Sequence, residues 1–311
     1  RDHAWTHPGS IMSTVPTVSP DLPSARWRAI LKILKRMPQA GMSRGFGRIA
    51  DTPIPEGLRP RVLTTVISAL GIDAGEAELP LANYRTINEF FVRRLKPGLR
   101  SWPQHEMVAA SPVDAIVGQS GFVLDGQLVQ AKGRFYTAAE LLDEPETAKR
   151  FNGGAFITLY LSPRHYHRIH TLCSGVIPMA RHVPGALLPV NAAASQHVDR
   201  LFARNERLIC YIDGPFGMVA VVAIGAYNVG RISAAFDSNW SGQTGVTNRK
   251  AARAETRQYD PPIPVKVGDE IMAFHLGSTV VLLFEPRRAN LYSALLPGVE
   301  VRVGEPIARG R

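Results

Sequence analysis

Ser278 stands inside the stretch FHLGSTVVLLFE, directly after Gly277. The surrounding residues read as a packed strand, and a Gly-Ser-Thr step is out of place in one. A serine that follows glycine has an unhindered peptide carbonyl on its N-terminal side. Its hydroxyl can attack that carbonyl and move the acyl group from nitrogen to oxygen. Such an attack needs a base, and the base needs an orienting acid. LYLSPRHYHRIHTLCSG supplies His165, His167 and His170 within six residues, directly after a second apolar run. Histidine is the usual acid–base group near neutral pH. SPVDAIVG supplies Asp114 between a Pro turn and an apolar strand. The histidines also suit a surface cluster or a metal site, but no acid- or Cys-rich segment offers obvious further ligands. Gly277-Ser278 lacks the second glycine of a hydrolase G-x-S-x-G elbow.

These residues need a scaffold, and its texture changes along the chain. Residues 1–23 hold Pro, Ser and Thr without periodicity and are expected to be disordered. Met12 stands as a candidate first residue, and nothing before it resembles a secretory signal. Ser24 to Met37 form a basic amphipathic pattern. Trp27, Ile30, Leu31 and Leu34 share one face, beside Arg26, Arg28, Lys32, Lys35 and Arg36. That pattern fits a helix lying on an anionic bilayer, or one packed on its own core. Further helices are expected from about Arg61 to Leu70, stopped by Gly71, and over YRTINEFFVRRL. In the latter, Thr86 and Glu89 have capping-box spacing, and Phe90, Phe91 and Leu95 point to a core. After Trp102 short β-rich runs alternate with Gly and Pro turns, as in AFITLYL, RLICYI, GMVAVVAIGAY and STVVLLF. The expectation is an α+β chain: residues 24–100 helical and membrane-associating, and 101–311 a β-rich catalytic unit, barrel- or sandwich-like. VKVGDEI (265–271) and VRVGEPI (301–307) form a weak internal repeat of strand, turn and strand. Residues 237–262 read as a long exposed polar loop.

Composition narrows the partners. The chain of 311 residues carries a formal charge of +10, which favours an anionic membrane, nucleic acid or acidic metabolites. No apolar run approaches the roughly 18 residues of a transmembrane helix. Cys173 and Cys210 form neither a disulfide framework nor a zinc set; they read as core thiols in a reducing compartment. Aromatics in nucleic-acid-binding motifs are absent, so no nucleic-acid partner is expected.

Read together, NYRTINEFFVRRLKP, SPVDAIVG, QAKGRFY, YLSPRHYHRIH, LFARNER, IGAYNVGRI and HLGSTVVLLFE resemble, in order, the bacterial phosphatidylserine decarboxylase proenzymes. The resemblance runs from about Tyr84 to Glu285. It implies self-cleavage between Gly277 and Ser278 by internal serinolysis, giving a β chain ending at 277 and an α chain of 278–311. Residue 278 then becomes a covalent pyruvoyl group, the cofactor, whose ketone would condense with the substrate amine. By the same resemblance His170 is the base for self-cleavage, Asp114 orients it, and His167 serves decarboxylation. If residues three apart are to share one face, a turn or short helix must follow the strand before them. The resemblance further implies phosphatidylserine as substrate, a homodimer, and a peripheral place on the cytoplasmic face of the membrane. The chain departs from the family pattern at His165, where Asp is common, at Ala115, where Gly is common, and in 237–262. Those departures keep open a pyruvoyl decarboxylase of a soluble amino acid. A Ser-His-Asp hydrolase that never cleaves itself and a basic membrane-binding protein are the readings from other classes.

Overall fold

The computed structural model describes residue 45 and residues 47–131, 133–226, 231–241, 253–275 and 278–311. The expected disordered segment, the basic helix of 24–37 and Gly277 lie outside the described residues.

The helix Arg59–Leu70 forms as its sequence anticipates. Pro60 sits in the first turn, where no intrahelical N–H is required, and Gly71 closes the helix at φ 66°. The next helix is shorter than expected, Ile87–Phe91. Thr86 caps it through a bond from the Glu89 amide (3.0 Å), but Glu89 returns its carboxylate to the Arg85 amide (2.7 Å), not to Thr86. Leu63, Ile67, Ile72, Ala77, Tyr84 and Phe90 make a small apolar cluster of their own.

Sixteen strands follow among the described residues. The large sheet has eight, all antiparallel, in the order β11 (Glu255–Val265), β7 (Gly175–Val183), β8 (Arg207–Gly214), β9 (Gly217–Ile224), β13 (Ser278–Pro286), β5 (Gly154–Leu161), β2 (Ala115–Phe122) and β15 (Glu300–Val301). Beside it lie the three-stranded sheets β1 (Val108–Ala110), β16 (Pro306–Gly310), β14 (Ala289–Leu291) and β10 (Ile232–Ala234), β12 (Glu270–Phe274), β6 (Arg168–His170). The pair β3 (Gln127–Ala131) and β4 (Arg134–Thr137) completes the set.

Two expectations are corrected here. The large sheet is open, with β11 and β15 as separate edges, so the β-rich unit contains no closed barrel among the described residues. The supposed loop 237–262 is partly the edge strand β11. Its ETRQYDPPIPV composition disguised it, because polar residues and prolines are tolerated on an edge that pairs on one side only. Cys173 and Cys210 are buried free thiols, as expected.

The inner strands explain the core. Residues 278–284 of β13 are buried without a break, as are 154–159 of β5 and 218–224 of β9. Near-continuous burial requires both faces of these strands to be covered, which is why the segments read as apolar runs and not as alternating ones.

Candidate active site

Ser278 is the first residue of β13. It opposes Leu161 of β5, while Thr279 opposes Ile224 of β9. The preceding strand, β12, belongs to a different sheet and ends at Phe274. The chain therefore changes sheets between Phe274 and Ser278. Ser278 is fully buried, and its Oγ has no hydrogen-bond partner among the described residues. A buried hydroxyl without a partner costs about 1–3 kcal/mol, and the neighbouring Thr279 Oγ1 is in the same condition.

The histidines come next. A turn closed by the bond from the His165 amide to the Ser162 carbonyl (3.0 Å) carries the chain away from β5. This turn precedes His167 and does not separate it from His170, which ends β6. The two rings therefore meet different surroundings. His167 is fully buried and packs against Phe91 with ring centroids 4.2 Å apart. Its Nδ1 lies 2.8 Å from the His165 carbonyl. A carbonyl can only accept, so Nδ1 carries the hydrogen and Nε2 carries a lone pair. That Nε2 is buried and has no partner among the described residues. Burial pushes the His167 pKa down to about 3, so the ring is neutral. Its backbone carbonyl accepts from the Phe274 amide (2.9 Å), at the end of the strand that leads toward Ser278.

His170 is neutral for the same reason, its pKa lowered by burial. Its Nδ1 donates to the Gly268 carbonyl (2.7 Å), and its Nε2 accepts from the Tyr166 hydroxyl (3.0 Å). Trp102 and Tyr166 flank the ring. Asp114 makes no direct hydrogen bond to His170. Its Oδ2 pairs with Arg100 Nη2 (2.8 Å) and its Oδ1 accepts the Val303 amide (2.7 Å). Its charge acts on His170 only through space. His165, the residue out of family pattern, faces Glu300, with Nε2 3.4 Å from the carboxylate.

The internal repeat turns out to hold this site. In each copy a carbonyl accepts the amide three residues on: Lys266 from Asp269 and Arg302 from Glu305, both 3.0 Å. In each, the acid returns its side chain to the first amide of the turn, at 2.7 and 3.0 Å. Gly268 and Gly304 occupy the third position at φ 90° and 89°, the conformation that demands glycine in a type II turn. The first turn offers the Gly268 carbonyl to His170, and the second offers the Val303 amide to Asp114. The similarity of the two heptads was readable in the sequence; their grip on the two candidate residues was not.

One further residue escaped the sequence reading. Arg100 joins Asp114 to Glu76, bonding the latter at 3.0 Å, and so ties the small helical cluster to the site.

With this geometry in view, the comparisons are direct. The family model described as phosphatidylserine decarboxylase matches residues 87–309. The phosphatidylserine decarboxylase proenzyme of Anaeromyxobacter sp. (strain K) is 45% identical over 280 residues, covering 90% of this chain and 98% of the relative. That of Myxococcus xanthus (strain DK1622) is 39% identical over 280 residues with the same coverage, and that of Brevibacillus brevis (strain 47 / JCM 6285 / NBRC 100599) is 38% identical over 278. Extended over nearly the whole length of each relative, this similarity carries one conclusion: the chain belongs to the phosphatidylserine decarboxylase family.

Proposed function

We propose that this chain is a self-processing proenzyme that decarboxylates phosphatidylserine to phosphatidylethanolamine. One observation carries the reading: a buried, unpartnered serine hydroxyl at the point where the chain leaves one sheet and enters another. Ser278 attacks the Gly277 carbonyl, and the Gly277–Ser278 amide becomes an ester. Elimination breaks the Cβ–O bond of residue 278, releasing the Gly277 carboxylate. Water then converts the remaining dehydroalanine to a pyruvoyl group and frees ammonia. In this scheme His170 is the base for the attack. Its Nδ1 is already fixed by Gly268, so Tyr166 has only to release Nε2. Asp114 supports the charge that His170 acquires, acting through space.

The fit of residue 278 to a pyruvoyl group rests on its surroundings. The side chain has no partner to lose among the described residues, and the neighbouring backbone is anchored on both sides by β5 and β9. When present, the group supplies a ketone that condenses with the substrate amine and draws electrons as the carboxylate departs. The chain's own residues handle the proton. His167 Nε2, neutral and with no partner among the described residues, is the acceptor assigned to the substrate amine's N–H and the relay for the proton that reaches the carbon CO₂ has left. Burial around His167 excludes the water that would compete.

No helix among the described residues is long and apolar enough to cross a membrane. Peripheral attachment through the basic pattern at 24–37, and a homodimer, complete the proposal.

The test is the intact mass of purified protein together with CO₂ release from phosphatidylserine in mixed micelles. Two chains with a break after Gly277, and release sensitive to hydroxylamine, are expected. Ser278→Ala should remain one inactive chain. A full-length wild-type chain that releases CO₂ would refute the processing scheme, and higher efficiency on a free amino acid would change the substrate.

A further inference from the structure

Arg93 follows the helix Ile87–Phe91 and is 2% exposed. Its backbone amide is held by the Phe90 carbonyl (3.0 Å), and its guanidinium lies over the Phe90 ring at 5.3 Å. Yet Nε and Nη1 are buried without any hydrogen-bond partner among the described residues. A guanidinium removed from water without an anion is among the costlier arrangements a protein can hold. The nearby carboxylates do not satisfy it, because Glu76 and Asp114 are both paired with Arg100. Arg93 is also close to the reacting groups. Phe91, two residues earlier, packs on His167, and the Val92 carbonyl accepts from Arg168 of the histidine segment (2.8 Å).

We propose that Arg93 receives the phosphodiester of the substrate head group through its unpartnered N–H groups. This assignment rests on the decarboxylase reading above. The substrate offers two anions, and the chemistry selects between them. The carboxylate loses its charge as CO₂ departs. An ion pair to it would be stronger in the ground state than in the transition state, and would slow the reaction. The phosphodiester keeps its charge throughout, so a buried arginine there binds substrate and transition state alike. The planar fork of Arg matches two phosphate oxygens, which a lysine cannot do.

The experiment compares two amphiphiles in the same micelles: short-chain phosphatidylserine and O-dodecylserine, which keeps the amine and carboxylate and lacks the phosphodiester. Wild-type enzyme, confirmed as two chains by mass, should prefer phosphatidylserine at least ~10-fold in kcat/KM. Arg93→Gln should lower kcat/KM on phosphatidylserine by about 10²-fold, mostly through KM, the scale for removing one partner of a buried charge pair. Its efficiency on O-dodecylserine should stay within about threefold of wild type, the signature of lost uniform binding. Arg93→Lys should recover part of the loss. Equal loss on both substrates, falling in kcat, would move Arg93 to the carboxylate and overturn the proposal. No loss on either would leave it a packing residue. If Arg93→Gln fails to self-cleave and so reports misfolding, wild type alone decides: equal efficiency on the two amphiphiles refutes phosphodiester recognition. CO₂ release from neither amphiphile would instead bring down the decarboxylase reading.

Discussion

Cleavage after Gly277 should leave two chains that do not separate under native conditions. Residues 278–311 contribute β13, an inner strand held by β5 and β9, together with β15 on β2, β16 on β1, and β14 on β16. The break falls between two sheets, so it severs no ladder among the described strands. From this segment Val280, Val281, Leu282, Leu283, Phe284, Val301 and Ile307 are each 5% exposed or less. At about 1.5–3 kcal/mol per buried side chain, seven contribute roughly 10–20 kcal/mol, as an upper estimate. Association costs about 4–15 kcal/mol in lost freedom, and the strand ladders on both sides of β13 add to the favourable side. Attachment wins, and the small chain should co-elute with the large one at micromolar concentration. Leu282→Ala removes a fully buried side chain at a cost of about 2–5 kcal/mol, or roughly 30- to 4,000-fold in the dissociation constant. The precursor still folds as one tethered chain, so processing should survive while release of the small chain moves to lower urea. Size-exclusion chromatography with mass detection over a urea series reads both. Free small chain from processed wild type in native buffer would refute the interleaved arrangement.

Further outcomes follow from the site. His170→Ala should block appearance of the two chains, whereas His167→Ala should be processed more readily than it decarboxylates; equal loss of both activities in His167→Ala, read by gel and CO₂ release, would end that division of labour. Gly268→Ala would place a Cβ 2.6 Å from Trp102 Cε2 at φ 90°. Left-handed strain of about 1–2 kcal/mol and overpacking of about 1–3 kcal/mol should lower the urea midpoint and slow processing. Burial holds His167 and His275 near a pKa of about 3, against roughly 6.5 in an unfolded chain. Below that unfolded value only the unfolded state takes up these protons, so the stability present above it is lost as pH falls toward 3, by up to about 1.4 kcal/mol per pH unit for each group. Urea midpoints between pH 7 and 4 should fall accordingly, and less steeply in His275→Gln. Deleting residues 24–37 should weaken binding to anionic vesicles, measured by flotation at low salt; unchanged flotation would make that pattern a packing helix.

How much of this was legible in the sequence depended on distance along the chain. Local rules worked where the partners were local: Gly71 ended its helix, Thr86 capped the next, and the apolar runs became inner strands. The long-range partners were another matter. Nothing within SPVDAIVG says that Asp114 will be held by an amide 189 residues further on. Strand order is also a long-range property, so an open sheet and a closed barrel read alike in their separate strands. The strand β11 was lost because its edge position relaxes the rules by which inner strands are recognised.

The repeated heptad shows what lay between these extremes. Its V-x-V-G-acid-x-I pattern encodes a turn in full: glycine for the positive φ, and an acid to bind the first amide. It does not encode where the turn will dock. The docking is set by two glycines that have no room for a side chain. A Cβ on Gly268 would meet Trp102, and one on Gly304 would come 2.2 Å from the Ser101 carbonyl. Ser101 and Trp102 are neighbours in sequence, so one short segment seats both turns. Through those turns it sets the carbonyl that orients His170 and the amide that holds Asp114. Arg100, the residue just before that segment, pairs with Asp114 directly. The stretch 100–102 is thus the common support of two candidate residues it does not contain. A perturbation there should move His170 and Asp114 together, where a change in either turn alone moves one.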